Sequence, residues 1–361
     1  MSEVRYLPPA LQTMYADLVD RSEAALFVDT FSPSGIFKRK TIKGRNYWYY
    51  QDSKKDTSTG TQKQKYVGPE TEAILKLIGN HGVQKSSFLE RREIVNTLIQ
   101  CGVSAPLGLF GEILDALARA GVFRLRASLV GTFAFQTYEG LLGVSFPKKY
   151  SQSLDLDIAQ FREISIAIAE TEQTGPFLEI LKKVDPSFEG VPSLDRRSPA
   201  TSFVNKRGFR VDVLIPNRGP EQSRPAALHA LGVHGQFLRY LDYLIYRPVK
   251  AVVLHGGGVL VTVPQPAKFA THKLIVSQVR NDIAKRRKDL WQAESLFKVL
   301  MNNDKFSLVD AFSEAVLRGP KWRKNVLRGL KSIDEGVASA LTALLRENGV
   351  VLETGGPPQT P

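Results

Sequence analysis

The chain has 361 residues, of which 43% are hydrophobic and 24% are charged, as in an average soluble globular protein. That composition excludes a fibrous repeat and wholesale disorder, and the length predicts two or three packed units. The formal net charge of +13 favours nucleic acid or another polyanion as a partner. A basic surface that only aids solubility is the alternative.

The single cysteine excludes an intrachain disulfide and a cysteine-based zinc site, as is common in the reducing cytoplasm. The N-terminal residues MSEVRYLPPALQ lack the basic and apolar regions of a signal peptide, and no apolar run is long enough to span a membrane. We therefore expect a cytoplasmic protein without a membrane partner.

The N-terminal region begins with a predicted helix after Pro9, followed by two β-rich arms, GIFKRKTIKGRNYWYYQ and TQKQKYVG, joined by a turn-forming DSKKDTSTG. The arms mix cations with aromatic residues, a combination that suits phosphate attraction and stacking on unpaired bases. The alternative is that the aromatic residues form the buried face of a small sheet. The candidate nucleic-acid contacts here are Lys38, Arg39, Lys40, Lys43, Arg45 and Trp48.

Two amphipathic segments follow, SFLERREIVNTLIQCG and LGLFGEILDALARAG, each ending at a glycine where a helix is expected to end. A β-like VFRLRASLV comes next, so the order of elements resembles a winged helix. A purely structural helical pair explains the same pattern.

The strongest chemical signal is SLDLDIA, where Asp155 and Asp157 would share one face of a strand because side chains alternate with period two. Asp212 lies in a second apolar strand-like run, FRVDVLIP, and can supply a third carboxylate. Converging carboxylates repel one another unless a cation neutralises them, and hard oxygen ligands suit Mg²⁺ or Mn²⁺. One exposed strand face is the alternative explanation of D-x-D.

In SLVGTFAFQTYEG an apolar run meets Gly131 and Thr132, and a helical pattern begins there. Backbone N–H groups and the helix dipole favour a phosphate at such a terminus, and glycine allows close approach. An ordinary helix start capped by Thr132 is the alternative. No HExxH, Walker A or G-x-S-x-G motif is present, and HGGGV is expected to form a hairpin turn.

Together these segments resemble the signature of the polymerase-β nucleotidyltransferase superfamily. GTFAFQTYEGLLG followed by SLDLDIA is similar to the corresponding motifs of AbiEii-type toxins and of related bacterial nucleotidyltransferase-fold proteins, with Ser153 matching the serine of the motif. The chain departs from them in having Val130 before Gly131 and an unusually long segment before Asp155. The resemblance covers about residues 127 to 300.

The resemblance implies a mixed sheet with flanking helices and two Mg²⁺ ions held by the three aspartates, which catalyse nucleotide transfer from an NTP to a hydroxyl. It implies that Asp212 activates the acceptor, that Lys273 contacts the triphosphate, and that Asp289 orients a basic partner or the nucleotide. Gly131, Thr132 and Ser153 would complete the nucleotide site. A solvated lysine and a surface charge pair are the alternatives for the two helical positions. Arg286 and Arg287, in the basic run 285–288, line an acceptor groove or simply cover a helix.

We therefore expect an α+β protein with an N-terminal accessory region (1–126), a nucleotidyltransferase core (127–265), a C-terminal helical region (266–350) and a disordered tail (351–361). The expected acceptor is RNA, such as tRNA, or protein, and the resemblance suggests a toxin with a cognate antitoxin. The alternatives are a non-catalytic nucleic-acid-binding protein that retains the fold and a nucleotidyltransferase acting on small molecules.

Overall fold

A computed structural model describes residues 4–31, 36–42, 44–55, 62–81, 88–148, 153–193 and 197–352. Helices and strands alternate irregularly along the chain, which confirms the α+β class. The helices are α1 (Pro9–Thr30), α2 (Glu72–Asn80), α3 (Phe88–Gln100), α4 (Phe110–Arg119), α5 (Gly131–Leu142), α6 (Arg162–Ala169), α7 (Phe177–Val184), α8 (Leu241–Leu244), α9 (Pro266–Ser277), α10 (Ile283–Asn303), α11 (Lys305–Leu317), α12 (Pro320–Leu330) and α13 (Glu335–Glu347). The strands are β1 (Arg5–Tyr6), β2 (Ile36–Ile42), β3 (Arg45–Lys55), β4 (Gln62–Pro69), β5 (Ser128–Val130), β6 (Val144–Ser145), β7 (Asp155–Ala159), β8 (Glu189–Gly190), β9 (Ser202–Val204), β10 (Arg210–Pro216), β11 (Ala226–Leu228), β12 (Val233–Leu238), β13 (Val249–Val253) and β14 (Val259–Val263).

The N-terminal β region is an antiparallel sheet of three strands in the order β2-β3-β4, so the prediction of two arms was wrong in strand number. The first arm is itself a hairpin, because Gly44 adopts a φ of +74° that favours a tight turn between β2 and β3. The predicted connection covers residues 52–60: residues 52–55 belong to β3, and residues 56–60 lie outside the described residues.

Helices α3 and α4 match the two predicted amphipathic segments. The strand expected in VFRLRASLV is shorter than predicted, because residues 121–126 form turns and only Ser128–Val130 pairs in a sheet. Arg126 lies at the end of these turns with a φ of +68°, an uncommon conformation for a residue with a side chain.

The central sheet is mixed and contains β11, β12, β10, β7 and β5 in that order, with β9 also paired to β10. β7 and β10 are parallel, whereas β5 runs antiparallel to β7. β13 and β14 form a separate hairpin around HGGGV, which confirms the predicted turn.

The largest hydrophobic cluster runs from Leu109 to Leu352 and joins the central sheet to the C-terminal helices. α9 lies in the middle of this cluster, since every residue from Ala267 to Ser277 is buried. Among the described helices, none is long and apolar enough to cross a membrane. Of the tail predicted to be disordered (351–361), residues 353–361 lie outside the described residues, whereas Leu352 is buried in this cluster.

Candidate active site

The two aspartates of SLDLDIA lie on one face of β7, as predicted. Asp155 and Asp157 are partly exposed, whereas Leu156 and Ile158 between and beyond them are buried. Asp212 lies on the adjacent parallel strand β10, directly opposite Asp157 in the register. Directly opposed residues on neighbouring strands have Cβ atoms about 5 Å apart. The fold therefore places the carboxylates of Asp157 and Asp212, 55 residues apart in the sequence, side by side.

Gly131 brings the start of α5 against this carboxylate row. Val130 pairs with Asp157, and the chain then turns at Gly131 with a φ of +68°. A Cβ atom at Gly131 would lie 2.3 Å from Oδ2 of Asp157, so only glycine fits here. Thr132 follows, buried in the first turn of α5. The backbone start of a helix therefore faces the carboxylates, as predicted for a phosphate site.

Arg210 is a member of the site that the sequence analysis missed. Its Nε donates to Oδ1 of Asp212 at 2.8 Å, and its guanidinium also donates to the hydroxyl of Ser202 at 3.0 Å. Arg210 lies two residues before Asp212, so the period of two places both side chains on the same strand face. That spacing is the signal from which it could have been found.

Asp157 has the most perturbed carboxyl group of the row. Burial and the neighbouring charge of Asp212 raise its pKa to about 6, although Lys273 acts in the opposite direction. A raised pKa means that the ionised carboxylate is costly in this position without a cation. Ser153 supports the row from the other side, because its hydroxyl accepts a hydrogen bond from the backbone N–H of Asp155 at 3.2 Å.

Lys273 and Asp289 form a buried ion pair beside the carboxylate row. Nζ of Lys273 lies 2.5 Å from Oδ1 of Asp289, and Nε of Arg280 lies 2.5 Å from the other carboxylate oxygen. Burial works to raise the pKa of Asp289, but the two cations outweigh it and hold that pKa below its ordinary value. The structure thus brings together the two helical residues that the sequence singled out, and adds Arg280.

The N-terminal part of α10 adds further positive charge to this edge of the sheet. Burial, together with the charge of Lys273, lowers the pKa of Lys288 to about 8. Nζ of Lys285 lies 3.9 Å from Oδ2 of Asp155. Arg286 and Arg287 are exposed on the same helix. Cations therefore border the carboxylates on the side of α9 and α10.

The basic residues predicted on the N-terminal arms divide between two faces of the small sheet. Trp48 donates from Nε1 to Glu70 at 3.0 Å, and Arg39 forms an ion pair with the same carboxylate. Lys38 and Lys40 pair with tyrosines on the opposite face, and Arg45 shares that face. Lys43 lies outside the described residues.

The donor set suits a hard divalent cation, because it consists of carboxylates with one strongly raised pKa. The residues that would hold such an ion are Asp155, Asp157 and Asp212, but their side chains are not arranged to coordinate one in this structure. In the described parts of the chain, no three His, Cys, Asp or Glu side chains are arranged so that they could hold a metal. Arg210 engages Asp212 and Lys285 approaches Asp155, so binding requires these carboxylates to exchange partners.

Comparison with known proteins supports a nucleotide-transferring site. A solved structure of an antigenic nucleotidyltransferase-like protein from Paracoccidioides brasiliensis is 16% identical and aligns over 60% of this chain and 91% of that chain. Its TM-score of 0.30 is too low to bear on fold or function. A search of curated proteins gives no match.

Residues 109–317, more than half of the chain, match a family described as nucleotidyltransferases. This segment contains all three aspartates, Gly131, and the Lys273–Asp289 pair. The chain therefore belongs to this nucleotidyltransferase family.

Proposed function

We propose that this nucleotidyltransferase is metal-dependent and transfers a nucleotide from an NTP to a hydroxyl group of RNA, such as tRNA, or of a protein, with release of pyrophosphate. The observation that carries the proposal is the row formed by Asp155, Asp157 and Asp212 beside Gly131. A row of carboxylates beside a helix start suits a cation and a phosphate at one point.

The residues divide into acidic and basic roles. Asp155, Asp157 and Asp212 would hold the divalent cations, and Asp212 would also activate the acceptor hydroxyl. Lys273 and Arg280 hold the triphosphate, with Asp289 orienting both cations through its two carboxylate oxygens. A divalent cation such as Mg²⁺ or Mn²⁺, when held there, would supply charge neutralisation at the phosphates and a lower pKa for the acceptor hydroxyl. The protein contributes chiefly positioning and charge stabilisation.

The resemblance to AbiEii-type toxins extends the proposal to a toxin-like enzyme with an antitoxin partner. The net charge of +13 supports a polyanionic acceptor such as RNA over a small molecule. The three-part division at residues 126 and 265 also stays a proposal, because one hydrophobic cluster crosses both boundaries.

One observation favours the non-catalytic alternative. Arg210 forms an ion pair with Asp212 at 2.8 Å and neutralises the third carboxylate without any metal. A protein that used the fold only to bind nucleic acid would need no metal at Asp212, and the Arg210–Asp212 ion pair would persist. The two functions differ in whether label from an NTP reaches an acceptor.

The test is incubation with Mg²⁺, each α-labelled NTP in turn, and total RNA or protein. An Asp155→Asn/Asp157→Asn variant serves as the inactive form. Asp115→Asn, which alters an exposed ion pair with Arg119, is the matched control. We expect labelled RNA or protein with the wild type and the control, and at least a 100-fold loss in the double variant. RNA binding without label from any NTP would establish the non-catalytic alternative, and label on a small hydroxyl compound alone would establish the small-molecule enzyme.

A further inference from the structure

The N-terminal three-stranded sheet has two chemically different faces. Strand alternation and the β2–β3 register place Phe37 and Tyr50 on one face, where they pack with Phe31 in a small hydrophobic cluster. The opposite face carries Lys40 paired with Tyr47. This second face is turned toward α6 of the central domain.

A groove of about 500 Å³ lies between that second face and α6. Tyr49 and Tyr66 are buried and form its floor, with ring centroids 5.6 Å apart. Tyr47 is half-buried and lies 6.3 Å from the ring of Tyr66, and Ile164 on α6 contributes an apolar wall. The groove is large enough for a nucleotide and offers aromatic and aliphatic surface to a planar base.

Two guanidinium groups border the groove and remain available for an anion. Arg45 and Arg126 both line it and are both exposed. Neither forms a salt bridge with a carboxylate within the described parts of the chain. Aromatic rings flanked by uncompensated cations are complementary to a base attached to a phosphate.

A buried ion pair forms hydrogen bonds with the backbone of Tyr66 at the floor of the groove. Glu172 accepts a hydrogen bond from the N–H of Tyr66 at 2.7 Å, and Arg124 donates to the carbonyl of the same residue. Arg124 and Glu172 also pair with each other, with side chains 7% and 12% exposed. The sheet is therefore fastened to the central domain at the floor of the groove, which reduces the ordering cost of binding.

We propose that this groove binds unpaired nucleotides of the RNA acceptor, an inference that rests on the proposed function and names its substrate class. Base faces are accessible only in single strands, so a duplex cannot use the aromatic lining. Arg126 precedes Ser128, which pairs with Ala159 at the far end of β7 from Asp155. The groove thus holds a part of the RNA away from the reacting hydroxyl.

The test is fluorescence anisotropy with a labelled 20-nucleotide single-stranded RNA of mixed sequence in EDTA, without NTP. Tyr47→Ala removes ring surface and Tyr47→Phe keeps it, and Arg126→Gly removes a cation at a position whose positive φ glycine tolerates. Arg92→Ala is the matched control, because it removes an exposed cation on α3, outside the groove lining. Thermal unfolding of each variant establishes that it is folded.

We expect Tyr47→Ala to weaken binding about 10-fold, Tyr47→Phe to bind as the wild type, and Arg126→Gly to reduce the salt slope by about one. Duplex RNA should bind more weakly and be insensitive to Tyr47→Ala. Equal losses in Arg92→Ala and Arg126→Gly, or no effect of Tyr47→Ala, would overturn the proposal. The binding assay needs neither metal nor NTP. RNA binding in the groove can therefore fail while nucleotide transfer succeeds, and it can succeed while nucleotide transfer fails.

Discussion

Gly131 lies so close to Asp157 that a single added carbon would reach within 2.3 Å of the carboxylate. The contact links the start of α5 to the middle of β7, and so connects the candidate phosphate site to the candidate metal site. Glycine is favoured at this position for two reasons, because the contact leaves no room for a side chain and the φ of +68° alone already favours glycine.

Replacement of this glycine should separate the cost of strain from the cost of displacing Asp157. We expect Gly131→Ala to reduce nucleotide transfer about 100-fold, because a shift of about 1 Å in a positioned group is enough for that loss. Gly219→Ala is the matched control, since Gly219 has a φ of +77° but no atom within 4 Å of the added carbon. The control should lose about 1 kcal/mol of stability and no activity. Equal activity of the two variants would contradict the role of the contact.

The raised pKa of Asp157 predicts a pH-dependent effect of removing its charge. Its pKa is about 6 in the folded protein against an ordinary value of 3.8, so the folded state binds more protons between these values. Stability contributed by this group is therefore lost as the pH rises through that window. In EDTA, Asp157→Asn should raise the melting temperature at pH 7.5, and the gain should shrink as the pH falls through this window and vanish below a pH of about 3.8. A gain of equal size at pH 7.5 and at pH 4 would assign the effect to something other than charge.

Metal binding should appear as a stabilisation that depends on the carboxylate row. At a Mg²⁺ concentration about a hundredfold above its Kd, mass action adds about 2.7 kcal/mol of stability. Differential scanning fluorimetry should show this increase in the wild type and not in Asp155→Asn/Asp157→Asn. The Asp115→Asn control should respond as the wild type does. An equal response of the double variant would place the metal elsewhere.

The contributions of Lys273 and Asp289 to the free energy of unfolding should depend on each other, because the two residues form a buried ion pair. Lys273→Met leaves Asp289 with Arg280 as its remaining cation, and we expect the free energy of unfolding to fall by about 3 kcal/mol. Lys273→Met/Asp289→Leu removes both charges and should cost less than the single substitution. Urea denaturation of the two variants measures the difference. A double variant that loses the sum of both single effects would show that the residues are independent.

Local pattern was sufficient to predict the parts of the site that depend on one segment. The alternation in β7 and the glycine at the start of α5 follow from period and conformation, and both placements are confirmed. The register that sets Asp157 opposite Asp212 is a tertiary property and could not be derived from either strand alone. The hydrogen bonds from Arg124 and Glu172 to the backbone of Tyr66 were likewise missed, because they join three distant segments through backbone groups.

The register of β7 and β10 has a consequence for synthesis of the chain on the ribosome. Asp157 emerges well before Asp212, and the Lys273–Asp289 pair emerges later still. A nascent chain therefore carries isolated fragments of the site and can neither gather its carboxylates nor balance their charge. Within the proposed function, a chain truncated before α10 would lack Asp289 and should transfer no nucleotide.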